Sequence, residues 1–89
     1  MLRVHVDECS HGITIRVEGK ITGEGVEELE RCCDEALARA KPCALIIELD
    51  EVMYVDGRGE VFLQRMHKAG VVLQGRGLHS RYVVERLRA

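Results

Sequence analysis

At 89 residues the chain has room for one domain with a modest core and none for a second. It contains no Trp, and Phe62, Tyr54 and Tyr82 are its aromatic residues, so that core must be built from Val, Leu and Ile. A formal charge of −2 supplies no basic field for a phosphodiester backbone, and so few aromatics leave little on which bases could stack, which argues against nucleic-acid binding.

The N-terminal residues Met1–His5 alternate and form no signal-peptide core, and no apolar run approaches the ~20 residues that span a bilayer. A cytoplasmic protein without direct membrane insertion is expected. Leu2, Val4 and Val6 alternate with Arg3, His5 and Asp7, and Ile13, Ile15 and Val17 alternate with Thr14, Arg16 and Glu18. Both runs have the period of a half-buried strand, and the polar link ending at Gly12 predicts an antiparallel hairpin. Gly19 and Gly23 bracket Lys20-Ile21-Thr22, which leads out of the sheet.

From Gly25 the period changes. Val26, Leu29, Cys33, Ala36, Leu37 and Ala40 recur at steps of three and four and mark one apolar helix face. Glu24, Glu27 and Glu28 crowd the first turn and Arg39 and Lys41 stand at the end, both favourable to the helix dipole. Pro42 is expected to end the element. Cys43–Leu49 is nearly continuous apolar sequence and predicts a central strand buried on both faces, reached by a right-handed parallel crossover.

An acidic loop, Asp50 to Asp56, is expected next. A second helix then opens at Gly57-Arg58-Gly59, with Val61, Phe62, Met66 and Ala69 on its inner face. Gly70 is placed to stop it in the left-handed conformation. Val71-Val72-Leu73 predicts another parallel strand. Gly75-Arg76-Gly77 reads as a turn, Ser80 as the cap of a last helix, and Val83, Val84 and Leu87 as its docking residues. The predicted order is β-β-α-β-α-β-α: an α/β fold in which a small mixed sheet of about four strands carries helices packed against it, a single domain over residues 1–89. The start of the second helix, at the end of a strand, is the edge where α/β sheets usually build sites.

The cysteines Cys9, Cys32, Cys33 and Cys43 form no C-x-x-C pair, and adjacent Cys32 and Cys33 leave a helix at different angles. They are expected to be buried reduced thiols rather than a metal or disulfide site. His5, His11, His67 and His79 show no ligand spacing and are assigned to surface or hairpin positions. Asp50, Glu51 and Asp56 superficially suggest the acidic cluster of a phosphoacceptor receiver, for which the chain is too short. Neither a G-x-x-x-x-G-K loop nor a Cys-His or Ser-His arrangement is present. No catalytic residue, metal or cofactor is expected, and the protein is not expected to be an enzyme.

Leu49-Asp50, then Tyr54-Val55-Asp56, then Gly57-Arg58-Gly59 at a helix start resembles the STAS domain, shared by sulphate transporters and bacterial anti-sigma-factor antagonists. The resemblance extends to Val17-Glu18-Gly19-Lys20-Ile21 before the first helix and to the entry of the Gly70-Val71-Val72-Leu73 strand. It implies a SpoIIAA-like fold and a role in protein recognition. In the antagonists of that family, the loop and following helix dock on an anti-sigma kinase, and phosphorylation of a loop Ser or Thr releases them.

Here Gly57 and Arg58 occupy the hydroxyl positions, and Ser10, Ser80, Thr14 and Thr22 all lie elsewhere. The phosphoswitch is therefore expected to be absent. Asp56 is expected to cap the helix by accepting from the Arg58 and Gly59 amides. Arg58, a cation at a dipole's positive end, is expected to be solvated, paired with Asp56 or Glu60, or turned to an acidic partner. The expected partner surface comprises Asp56, Gly57, Arg58, Gly59, Glu60, Gln64 and Arg65, recognised by another protein such as an anti-sigma kinase. Two alternatives are a sensor of a small anion or nucleotide at the same helix start, and a subunit of a membrane transporter complex.

Overall fold

In a computed structural model, the structure describes residues 2–75 together with Glu85. The turn expected beyond Gly75 and the last helix with Ser80, Val83, Val84 and Leu87 lie outside the described residues. Strands β1 (Leu2–Cys9) and β2 (Gly12–Ile21) form the expected antiparallel hairpin, with Cys9 opposite Gly12. Helix α1 (Glu24–Leu37) crosses to β3 (Leu45–Val55), and α2 (Gly57–Lys68) crosses to β4 (Val72–Gln74). β3 lies parallel to both β2 and β4, so the described strands form one mixed sheet in the order β1-β2-β3-β4.

One face of this sheet carries the core. Ile13, Ile15, Val17 and Ile21 of β2, Leu45, Ile47, Leu49 and Val52 of β3, and Leu73 of β4 point to it. Val26, Leu29, Cys33 and Ala36 of α1 close over them, as the helical spacing required. From α2 come Gly59, Phe62, Leu63 and Met66, a strict i, i+3, i+4, i+7 stripe. Each large aliphatic or aromatic side chain in this layer is worth about 1.5–3 kcal/mol by burial.

Four expectations are corrected. Val61 is 66% exposed and Ala69, the exposed cap residue after α2, is not on the inner face either; Leu63 takes the place of Val61, because the α2 stripe is set by Gly59 at its first turn. The stretch Asp50–Val55 is strand rather than loop: β3 continues, and two register shifts against β2, between Arg16/Glu18 and Gly19/Lys20, absorb its extra residues. Val52 thereby returns to the core, while Met53 and Tyr54 point outward, 71% and 54% exposed. β3 is also not covered on both faces by the described residues. Ile46 and Glu48 are half-buried and alternate with buried neighbours, since α1 and α2 pack on the same side.

The fourth correction concerns the end of α1. The helix stops at Leu37, well before Pro42, which instead opens the 3-10 turn Pro42–Ala44. Arg39 therefore lies beyond the helix, where it donates to the Glu35 carbonyl and pairs with Glu8 at 3.3 Å.

Two glycines meet strict requirements. Gly70, at φ 102°, ends α2 as expected. Its amide donates to the His67 carbonyl and that of Val71 to Met66, a paired closure in which Val71 and Met66 are also buried together. At Gly12 a Cβ would stand 2.2 Å from the Ala44 carbonyl oxygen, so only glycine lets β2 begin against that turn.

Candidate functional site

β2 and β3 end side by side, with Ile21 opposite Val55, and each leads directly into a helix. The Asp56 amide donates to the Ile21 carbonyl at 3.1 Å, which ties the two exits together. Asp56 is the N-cap of α2, and its Oδ1 accepts from the Gly59 amide at 2.8 Å as the sequence predicted. Its other oxygen turns away from the loop. Oδ2 accepts from the Gly23 amide at 3.1 Å, and Gly23 is the N-cap residue of α1.

One carboxylate thus serves the starts of both helices. Gly23 sits at φ 48° and offers no side chain to cap α1 itself. The Gly59 and Gly23 amides, followed by the Arg58 charge, hold the Asp56 carboxyl below its usual range.

Gly59 is buried under this bridge. A Cβ there would come within 2.8 Å of Val55 Cγ1 and 2.9 Å of both Ile21 Cγ2 and the Ile21 carbonyl oxygen. Gly57, two residues earlier, has open space on its Cβ side. The two glycines of Gly57-Arg58-Gly59 therefore differ in kind: Gly59 is required by packing, and Gly57 leaves room for a side chain.

Arg58 stands in the first turn of α2. Its guanidinium reaches across to Glu27 of α1 at 3.4 Å, and both side chains are largely exposed. Two turns further along α2, Arg65 donates to Glu30 at 2.7 Å and lies 5.6 Å from the centroid of the buried Phe62 ring. The Arg58–Glu27 pair lessens the unfavourable placement of Arg58 in the first turn of α2, whereas Arg65 stands in the last turn, where the dipole favours it. Beneath them runs a groove of about 330 Å³, lined by Val26, Glu30, Gly57, Arg58, Val61, Phe62 and Arg65.

The residues expected to form one surface are therefore divided by the helix. Arg58 and Arg65 lean toward α1, while Gly57 and Gln64 lie on the outer ridge with the exposed Val61. Glu60, a half-buried residue, falls on the opposite flank, because 3.6 residues per turn carries it away from Arg58. Sequence reasoning missed Gly23, Glu27, Glu30 and Val61. No local signal could have found the glutamates, since their pairing with Arg58 and Arg65 depends on α1 and α2 lying side by side.

Cys33 is fully buried, and burial pushes its thiol up to about 12. Cys9 and Cys43 are exposed and Cys32 is half-buried, which corrects the expectation that all four thiols lie inside. His5 and His11 are exposed, on β1 and in the hairpin turn respectively, while His67 is half-buried. None of the described helices is long and apolar enough to cross a membrane.

The sequence pattern of the STAS domain matches residues 4–76. The structure is similar to that of an anti-sigma factor antagonist from Mycobacterium paratuberculosis, with a TM-score of 0.79 and 21% identity, covering 97% of this chain and 77% of that one. An uncharacterized protein from Shewanella loihica with a SpoIIAA-like fold is also similar: TM-score 0.61, 17% identity, 96% of this chain and 75% of that one. At these identities the likeness establishes the fold. No curated protein matches the chain significantly. Through the match that spans most of its length, and the sheet and helix order that accompany it, the chain belongs to the STAS domain family.

Proposed function

We propose that this STAS domain, a single domain over residues 1–89, is a cytoplasmic regulatory module without enzymatic activity that acts by binding another protein through the Asp56 loop and the outer side of α2. The observation that carries the proposal is the double anchoring of Asp56. Its bonds to Gly59 and Gly23 fix the loop and both helix starts in one arrangement, so the surface they present needs little ordering on binding. Asp56, Gly57, Arg58, Gln64 and Arg65 would meet the partner at the loop and ridge, with Glu60 at the far rim; Gly59, buried beneath, would only shape the loop. The partner class suggested by the anti-sigma factor antagonist neighbour is an anti-sigma factor, and an anti-sigma kinase is the form of it that the family resemblance implies.

The loop lacks the hydroxyl on which a phosphoryl switch would operate. Gly57 and Arg58 stand in those places, and Arg58 brings a positive charge paired with Glu27. Binding would be constitutive at this loop, governed by the amount of protein or by competition rather than by phosphorylation.

Affinity capture from cells of the source organism, followed by intact-mass analysis with ATP and the captured protein, tests both parts. The expected result is a partner retained by the wild type and lost by the Arg58→Glu, Gln64→Ala variant, with no mass increase from phosphate. An identical set of captured proteins for both forms, or phosphate found on the chain, would overturn the respective part.

A further inference from the structure

Strand β1 forms one edge of the sheet, and among the described residues it pairs only with β2. It is eight residues long, against three for β4 at the opposite edge. A long edge presents a row of amides and carbonyls to which a further strand can add. Val6 on this edge is 45% exposed, although it points to the core side and stands opposite the fully buried Ile15. Leu2 and Val4, on the same side, are only partly buried. The apolar layer therefore continues out to β1 and ends there incompletely covered.

The sequence of β1 complements itself when read antiparallel. With His5 opposite His5 of a second copy, Val4 faces Val6 and Arg3 faces Asp7, each twice by symmetry. A shift of one residue would set the core side of one copy against the polar side of the other, which the pleat forbids. A shift of two residues one way places Arg3 opposite His5; the other way it places Val4 opposite Glu8. Both lose the two Arg3–Asp7 pairs. Charges on an edge strand usually deter pairing, whereas here opposite signs meet twice in the register that sets Val4 against Val6, with Leu2 opposite Glu8 at each end.

We propose that the chain forms a two-fold symmetric dimer through β1, in antiparallel pairing centred on His5, joining two four-stranded sheets edge to edge. The dimer is an isologous assembly, in which the same strand serves as both surfaces. It would extend the apolar layer across the axis and cover Val6. The Asp56 loop lies at the end of β2 and β3 and takes no part in the pairing, so both copies keep it accessible.

Sedimentation equilibrium over a roughly thousand-fold concentration range tests this, combined with charge exchange. The wild type is expected to move from monomer toward twice its mass. Arg3→Asp alone and Asp7→Arg alone set like charges opposite each other and should each weaken the dimer about tenfold or more. Arg3→Asp, Asp7→Arg together should restore it, which a merely misfolded variant would not do. Amide hydrogen exchange on the wild type should show residues 2–8 gaining protection as concentration rises. A wild type that stays monomeric throughout, a double variant no better than the singles, or a dimer without added protection in β1 would each overturn the proposal.

Discussion

Asp56 and Gly23, 33 residues apart in sequence, are joined by a 3.1 Å hydrogen bond from the Gly23 amide to the Asp56 carboxylate. Since the other oxygen of that carboxylate caps α2 at Gly59, the bond makes the start of α1 depend on a side chain from the opposite end of β3. The substitutions that follow separate these two tasks.

Asp56→Ala removes both acceptors and leaves the Gly23 and Gly59 amides unpaired by any side chain. Its melting temperature is expected to fall by several degrees, on the order of 5 °C. Asp56→Ser can cap Gly59 but cannot reach both amides, and Asp56→Asn turns an NH₂ group toward one of two donors. Both should fall between Ala and the wild type. Thermal melts of the four proteins at neutral pH give the order, and an Asn variant equal to the wild type would show that the second oxygen contributes nothing.

The same carboxylate makes a pH prediction whose sign is fixed. Asp56 titrates below its ordinary value of 3.8 in the folded protein because the Gly59 and Gly23 amides favour its charged form. Between the two values the unfolded chain binds more protons, so stability rises with pH across that window. The contribution is complete above 3.8 and is lost as pH falls through the folded value. The gap in melting temperature between wild type and Asp56→Ala should therefore stay level from neutral pH down to about 4 and then narrow. A gap that widened in acid would contradict the assignment.

The glycines of the loop should respond in opposite directions. Gly57→Ala places its methyl in open space at the first helical position and is expected to stabilise by about 0.4–1 kcal/mol through the unfolded chain. Gly59→Ala forces its methyl against Val55 and against the Ile21 side chain and carbonyl, and should destabilise by about 1–3 kcal/mol. Urea unfolding of both variants checks the pair, and equal effects would contradict the packing described for Gly59.

Sequence patterns located most of this architecture because both periods were well expressed. The alternation in Leu2–Val6 and Ile13–Val17 marked the hairpin, and the steps from Val26 to Ala36 marked the inner face of α1. Asp56 as a cap and Gly70 as a helix stop were legible for local reasons, since each depends on its own backbone neighbourhood. The continuation of β3 was not. Asp50-Glu51 looks like a turn, and only pairing with Glu18–Ile21 and two register shifts keep it extended, which is a tertiary effect. For the same reason the Asp56–Gly23 bond and the Arg58–Glu27 pair were hidden, because each joins segments whose proximity the fold alone creates.

The thiols provide a check on burial. Cys9 and Cys43 should react quickly with a maleimide in the native protein. Cys33, buried and with its thiol pushed up to about 12, should react only on unfolding, and Cys32 at an intermediate rate. Peptide mapping after timed labelling resolves the four positions. Early labelling of Cys33 would contradict its place between α1 and the sheet.

Calorimetric titration of the captured partner against three purified proteins tests the recognition surface most directly: the wild type, Arg58→Glu with Gln64→Ala, and Arg16→Glu on the opposite face of the sheet. With recognition at the Asp56 loop and α2, the first variant raises Kd about tenfold or more, while Arg16→Glu leaves it unchanged. Undiminished affinity in the α2 variant, with loss in Arg16→Glu, would place recognition on the other face and contradict the account.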